Sequence, residues 1–124
     1  MARCAEPSDY EAVKAVLEIY CKEGAAANVP AVKKAFHEKA VMNGCHAGHG
    51  EYVLGPIGAL YDLYDEVGAA EGCETHIDVL DIAGDIAVGR VIIKNWHGKD
   101  FADYHELMKI DGEWKIVAKI YCEL

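Results

Sequence analysis

Several things are scarce or missing in this chain, and each absence removes a class of function. Basic residues are in short supply: 12 lysines and arginines stand against 21 aspartates and glutamates in 124 residues, a formal net charge of −9. A surface of that sign repels phosphate, so neither nucleic acid nor an anionic membrane is expected as a partner. No apolar run approaches the roughly 20 residues of a membrane span. The opening MARCAEPSDYE lacks the apolar core of a secretory signal. A soluble, cytoplasmic protein is the expectation. There is no CxxC, and the five cysteines (Cys4, Cys21, Cys45, Cys73 and Cys122) are odd in number and irregular in spacing. That pattern predicts free thiols in a reducing compartment rather than a disulfide framework. Neither GxGxxG nor a P-loop occurs, so no nucleotide, flavin or other cofactor is expected. HExxH is absent as well. His37, Cys45, His46 and His49 lie close in sequence, and imidazole and thiolate suit zinc. Yet His46-Ala-Gly-His49-Gly reads as a glycine-rich turn with exposed histidines, and no metal is assigned. With no repeat, low-complexity tract or linker, residues 1–124 read as one domain, with 1–7 as an N-terminal arm. The chain is 52% hydrophobic, enough for a packed core.

What is present is a succession of helices and strands. Ser8-Asp-Tyr-Glu11 has the S-x-x-E form of a capping box, and Tyr10, Val13, Val16, Leu17 and Tyr20 follow at helical spacing, with Gly24 as a stop. Tyr20 is either a core tyrosine or a hydroxyl aimed into a cavity. Asn28 caps a second, short helix with Pro30 in its first turn and Val32, Ala35 and Phe36 on its buried side. His37 follows, either interacting with the helix dipole or lining a pocket wall. Residues 40–45 and 51–54 read as a short strand pair. Gly55-Pro56 opens a third helix whose apolar face is Ile57, Leu60, Tyr61, Tyr64 and Val67, ended by Gly68. Tyr61 or Tyr64 is a candidate for ligand contact. Residues 74–82 and 86–96 are strands. The second is apolar on both faces at Val88, Val91, Ile92 and Ile93. Such a strand is covered on both sides, by helices on one and by a second subunit on the other.

The last stretch, Lys99 to Leu124, is the most informative. Asp111-Gly112 between two apolar runs predicts a tight hairpin with Ile110 opposite Glu113. Unbroken pairing then sets Leu107 opposite Ile116, His105 opposite Ala118 and Asp103 opposite Ile120. The shared face carries Phe101, Leu107, Trp114, Ile116, Ala118, Ile120 and Cys122, with Asp103 and His105 as ionisable exceptions and Lys109 at the rim. A two-residue turn at His97-Gly98 would also bring Arg90 beside His105, where it would hold Asp103 as an anion.

The pattern F-x-D-Y-x-x-L-x-K-x-D-G-x-W-K-I-x-x-K from Phe101 to Lys119 resembles the ending of the nuclear-transport-factor-2-like (NTF2-like) superfamily. It is most similar to the putative lumazine-binding branch, related to polyketide-cyclase and ketosteroid-isomerase-like proteins. Tyr20-Cys-Lys-Glu-Gly24 and Ala35-Phe36-His37-Glu38-Lys39-Ala40 resemble that branch too, although Glu38 stands where the family commonly has proline. The resemblance spans roughly residues 9 to 122. It implies an α+β cone, with about three N-terminal helices packed on a strongly bent antiparallel sheet, and dimers formed through the sheet. This superfold hosts catalysts and binders alike.

Inside such a cone, Asp103 and His105 point the same way from one strand, with Cα atoms roughly 6.5–7 Å apart. Burial would raise the carboxyl's pKa and let it accept a carbon-bound proton, while the histidine polarises an oxygen and Tyr20, Tyr61 or Tyr64 holds an oxyanion. Three functions stay open. The first is a small-molecule-binding protein whose cavity, lined by Tyr20, His37, Tyr61, Tyr64, Asp103 and His105, takes a small apolar molecule. The second is a cofactor-independent isomerase, dehydratase or cyclase using Asp103 and His105 on a small apolar carbonyl substrate. The third is an interaction module using the outer sheet face. Asp103 and His105 as a hydrogen-bonded pair that fixes strand register is the purely structural alternative.

Overall fold

The computed structural model describes residues 5–124. The arm expected over 1–7 falls mostly outside them, as does Cys4. Among the described residues the order is α1 (Pro7–Ala25), α2 (Val29–Val32), β1 (Phe36–His46), β2 (Tyr52–Pro56), α3 (Gly58–Val67), β3 (Glu74–Ala83), β4 (Ile86–Trp96), β5 (Lys99–Ile110) and β6 (Glu113–Glu123). The strands form one curled, unclosed sheet in the order β2-β1-β6-β5-β4-β3. Neighbours are antiparallel except β1 and β6, which run parallel and are separated in sequence by one helix and four strands. The helices fill the concave side. None of them is long and apolar enough to cross a membrane.

α1 starts earlier than its Ser8-x-x-Glu11 pattern predicts. Pro7, with no N–H to satisfy, takes the first helical position, and Glu6 becomes the cap. The Asp9 carboxylate accepts from the Glu6 N–H at 3.1 Å. Val13, Leu17, Tyr20 and Cys21 face the sheet, whereas Tyr10, expected on that face, is 43% exposed. Gly24 does not end the helix, which continues to Ala25. Gly89 of β4 lets α1 settle onto the sheet, since a Cβ there would stand 2.5 Å from Leu17 Cδ1. α2 is capped by Asn28 as expected, but it ends at Val32, and Phe36 and His37 already belong to β1. Gly55-Pro56 completes β2 rather than opening α3. Gly68, at φ 72°, terminates α3 as its position in the sequence suggests.

Two bulges decide which side chains face inward. The last hairpin begins as expected, with Ile110 opposite Glu113 and Leu107 opposite Ile116. Val117 is then an extra residue, so Glu106 meets Ala118, His105 meets Lys119 and Asp103 meets Tyr121. A bulge of one residue reverses the face of everything beyond it. Ala118, Ile120 and Cys122 therefore lie on the outer face, and Lys119, Tyr121 and Glu123 turn inward instead. The second bulge is at Lys94-Asn95, with Asn95 at φ 60°, opposite Asp100. The His97-Gly98 turn does have two residues, but this bulge sets Arg90 opposite Tyr104. Arg90 consequently sits on the outer face and donates to Asp78 Oδ2 at 2.9 Å, well away from Asp103. That outer face also carries exposed Ile86, Tyr104, Met108 and Ile120. It is the face on which a second subunit is expected.

Candidate functional site

The cone contains a cavity of about 350 Å³. Its rim includes the exposed residues Val67, His97 and Lys99; its floor is the buried trio Tyr20, Asp103 and Lys119. Leu60 and Tyr64 of α3, Met42 of β1 and Trp96, Phe101 and Tyr121 of the sheet form apolar walls between them. The floor is polar because two strands and a helix each send one polar side chain to the same point.

Asp103 is its centre. It is 1% exposed. The Tyr20 hydroxyl donates to Oδ2 at 2.5 Å. The same oxygen lies 3.7 Å from His105 Nε2 and 3.9 Å from Lys119 Nζ. The other oxygen, Oδ1, is buried without a hydrogen-bond partner. Lys119 Nζ is held over two rings, 5.0 Å from the Tyr20 centroid and 5.3 Å from that of Tyr121. Gly44 of β1 makes room for the Tyr121 ring: a Cβ there would fall 2.0 Å from Tyr121 Cε2.

The charges follow from these distances. Burial pushes the Asp103 carboxyl up, but Lys119, His105 and the Tyr20 hydroxyl together outweigh it and leave the group below the ordinary aspartate range. The sequence-based expectation of a raised pKa fails for that reason, and the cation responsible is Lys119 rather than Arg90. Burial lowers the pKa of His105, opposed by Asp103. Burial likewise lowers that of Lys119, again opposed by Asp103. The Tyr20 hydroxyl is pushed well up by burial and by the neighbouring carboxylate, so it is a donor only.

Of the residues proposed from sequence, Tyr20, Tyr64 and Asp103 line the cavity. His105 lies below its floor, fully buried, with its ring 4.7 Å from that of Tyr20 and both nitrogens without a hydrogen-bond partner. Tyr61 turns its edge to Phe36 at 6.4 Å, under the ammonium of Lys33. His37, expected at the pocket wall, is not among the lining residues, and its Nδ1 accepts from the Lys39 N–H at 3.0 Å. Lys119 was missed. Residues 113–123 are apolar on both parities, so alternation gives no sign of a bulge and a lysine there reads as solvated. Among the described residues no group of three or more His, Cys, Asp or Glu side chains is placed to hold a metal ion. His46 stacks on His49 at 4.0 Å and its Nε2 lies 2.9 Å from Glu123 Oε2.

Known proteins resemble this chain in sequence or in structure. Aldolase FrzH from Cladobotryum sp is 29% identical over 122 residues, 98% of this chain and 96% of its own length. An NTF2-like protein of unknown function from Shewanella baltica OS155 superposes with a TM-score of 0.89 at 28% identity, covering 98% of both chains. Another, from Methylobacillus flagellatus KT, gives 0.89 at 30% identity over 97% of this chain and 95% of its own. The model of the putative lumazine-binding family matches residues 8–122, and this chain belongs to that family, within the NTF2-like superfamily.

Proposed function

We propose that the protein binds a small, largely apolar molecule carrying a carbonyl group, seated with its polar end on Asp103 and Lys119. The observation that carries this reading is Asp103 Oδ1: a buried carboxylate oxygen with no partner, in a residue that lines an apolar cavity. Leaving such an oxygen unpaired costs on the order of 1–3 kcal/mol or more; a hydroxyl of the ligand or the acidified C–H beside its carbonyl supplies the hydrogen, while the carbonyl oxygen accepts from the Lys119 ammonium. The volume of about 350 Å³ suits a ligand of modest size.

A second reading places chemistry at the same site. Asp103, held as an anion, takes a proton from the carbon next to the carbonyl, and the Lys119 ammonium stabilises the resulting enolate oxygen. The 29% identity to a protein named an aldolase favours it, because aldol chemistry begins with that proton transfer. His105 then acts as a positioning residue beneath Asp103.

One experiment separates the two. 2-Tetralone is an apolar ketone with exchangeable α-protons. In D₂O, followed by proton NMR, the protein should accelerate loss of its α-proton signals. Folded Asp103→Asn should return the rate toward that of buffer, a loss of about 10²–10⁴-fold. Saturation transfer to the ring protons without accelerated exchange leaves binding and removes the enolisation reading. Absence of saturation transfer refutes the apolar-ketone reading itself.

A further inference from the structure

Lys119 has the surroundings of a nucleophile. Its side chain is 7% exposed, it lines the cavity, and it stands at the floor beside the carboxylate that would accept its proton. A lysine serving only as counter-ion would be expected to hydrogen-bond its partner. Here Nζ lies 3.9 Å from Asp103 Oδ2, and that oxygen is already engaged by Tyr20. The amine is flanked by the rings of Tyr20 and Tyr121 rather than by further acceptors.

We infer that Lys119 forms an imine with the carbonyl carbon of the cavity's ligand. The inference rests on the carbonyl-binding reading above and deepens it. Surroundings that strip an ammonium of water favour the neutral amine, which is the form that attacks, and burial does shift Lys119 in that direction.

The step balances with the groups present. The ammonium gives one proton to Asp103. The neutral Nζ then bonds to the carbonyl carbon, and the C=O π pair moves to oxygen. That oxygen takes back the proton from Asp103 and a second one from nitrogen, and leaves as water when the C–O bond breaks. An iminium with one N–H remains. Its charge equals that of the starting ammonium, and Asp103 is again an anion. Asp103 is then placed to remove an α-proton and give an enamine, with no metal or redox partner in the sequence of events.

Imine formation can be trapped. Benzaldehyde, which is apolar and has no α-proton, is added to the intact protein with cyanoborohydride, and the digest is mapped by mass spectrometry. The expected result is a benzyl group on Lys119 at about tenfold or more over any other lysine. In Lys119→Arg, which keeps the charge, that label disappears and the background on surface lysines is unchanged. The wild-type map alone decides the matter even if the variant does not fold. Saturation-transfer NMR with benzaldehyde, without reductant, is run alongside. Benzaldehyde bound but Lys119 unlabelled overturns the imine and leaves the cavity reading standing. Benzaldehyde neither bound nor attached overturns both.

Discussion

The two buried aspartates among the described residues, Asp9 and Asp103, are solved in opposite ways. Asp9 is 4% exposed at the N-terminus of α1, and its oxygens are taken. Oδ2 accepts from the Glu6 N–H; Oδ1 lies 3.4 Å from both Trp114 Nε1 and Lys109 Nζ. The backbone bond is the chief reason its carboxyl stays below the ordinary range. The arrangement ties the first helix to the final hairpin and leaves nothing over for a ligand. Asp103 is even more buried, yet one oxygen carries all its interactions and the other has none. Full satisfaction marks a structural carboxylate, and an orphaned oxygen beside a cavity marks one kept for another molecule.

Substitutions at either end can break or sharpen that contrast. Trp114→Ala attacks the Asp9 end, where the indole is 5% exposed. It should cost about 3–5 kcal/mol in urea unfolding, while the folded fraction still binds 2-tetralone. A loss under about 1 kcal/mol would place Trp114 outside the core. Gly44→Ala attacks the Asp103 end. The new methyl displaces the Tyr121 ring and with it one wall of the Lys119 site. Stability should fall by about 1–3 kcal/mol, less than for Trp114→Ala, but ketone binding should be lost; retained binding would show that Tyr121 does not shape the site.

The smallest effect is on pH dependence. His105 is held neutral in the fold, with its pKa lowered from 6.5 chiefly by burial. Below that value the unfolded chain takes up a proton that the folded chain refuses, so stability falls as pH drops from about 7 toward 5. Asp9 and Asp103 are both lowered from 3.8, and their contributions are lost only at still lower pH. His105→Gln should flatten the urea midpoint between pH 7 and 5 and leave the steeper acid limb intact. An unchanged slope in that window would assign it to other groups.

Much of the fold was legible because its signals are local. Asp111-Gly112 and Gly68 take a backbone geometry that few other residues supply, Asn28 offers the side-chain oxygen a helix start needs, and each stands where the sequence puts it. The start of α1 differs from its pattern because Pro7, next to Ser8, takes the first helical position and moves the cap two residues back to Glu6. The site was legible in part. Asp103 and Tyr20 stand out as polar groups on apolar faces, but the pairing that gives them meaning crosses from α1 to β5. Arg90 and Lys119 exchanged roles for one cause: two bulges, at Asn95 and at Val117, that no alternation of residue types announces.

The sequence by itself determined the elements, the last hairpin's turn and the membership of Asp103 in an apolar face, since each depends on residues near one another in the chain. Only the tertiary structure decided which cation meets that carboxylate, which of its oxygens stays free, and which tyrosine reaches it. Those depend on strand register, and a single extra residue in one strand turns every later side chain to the other face.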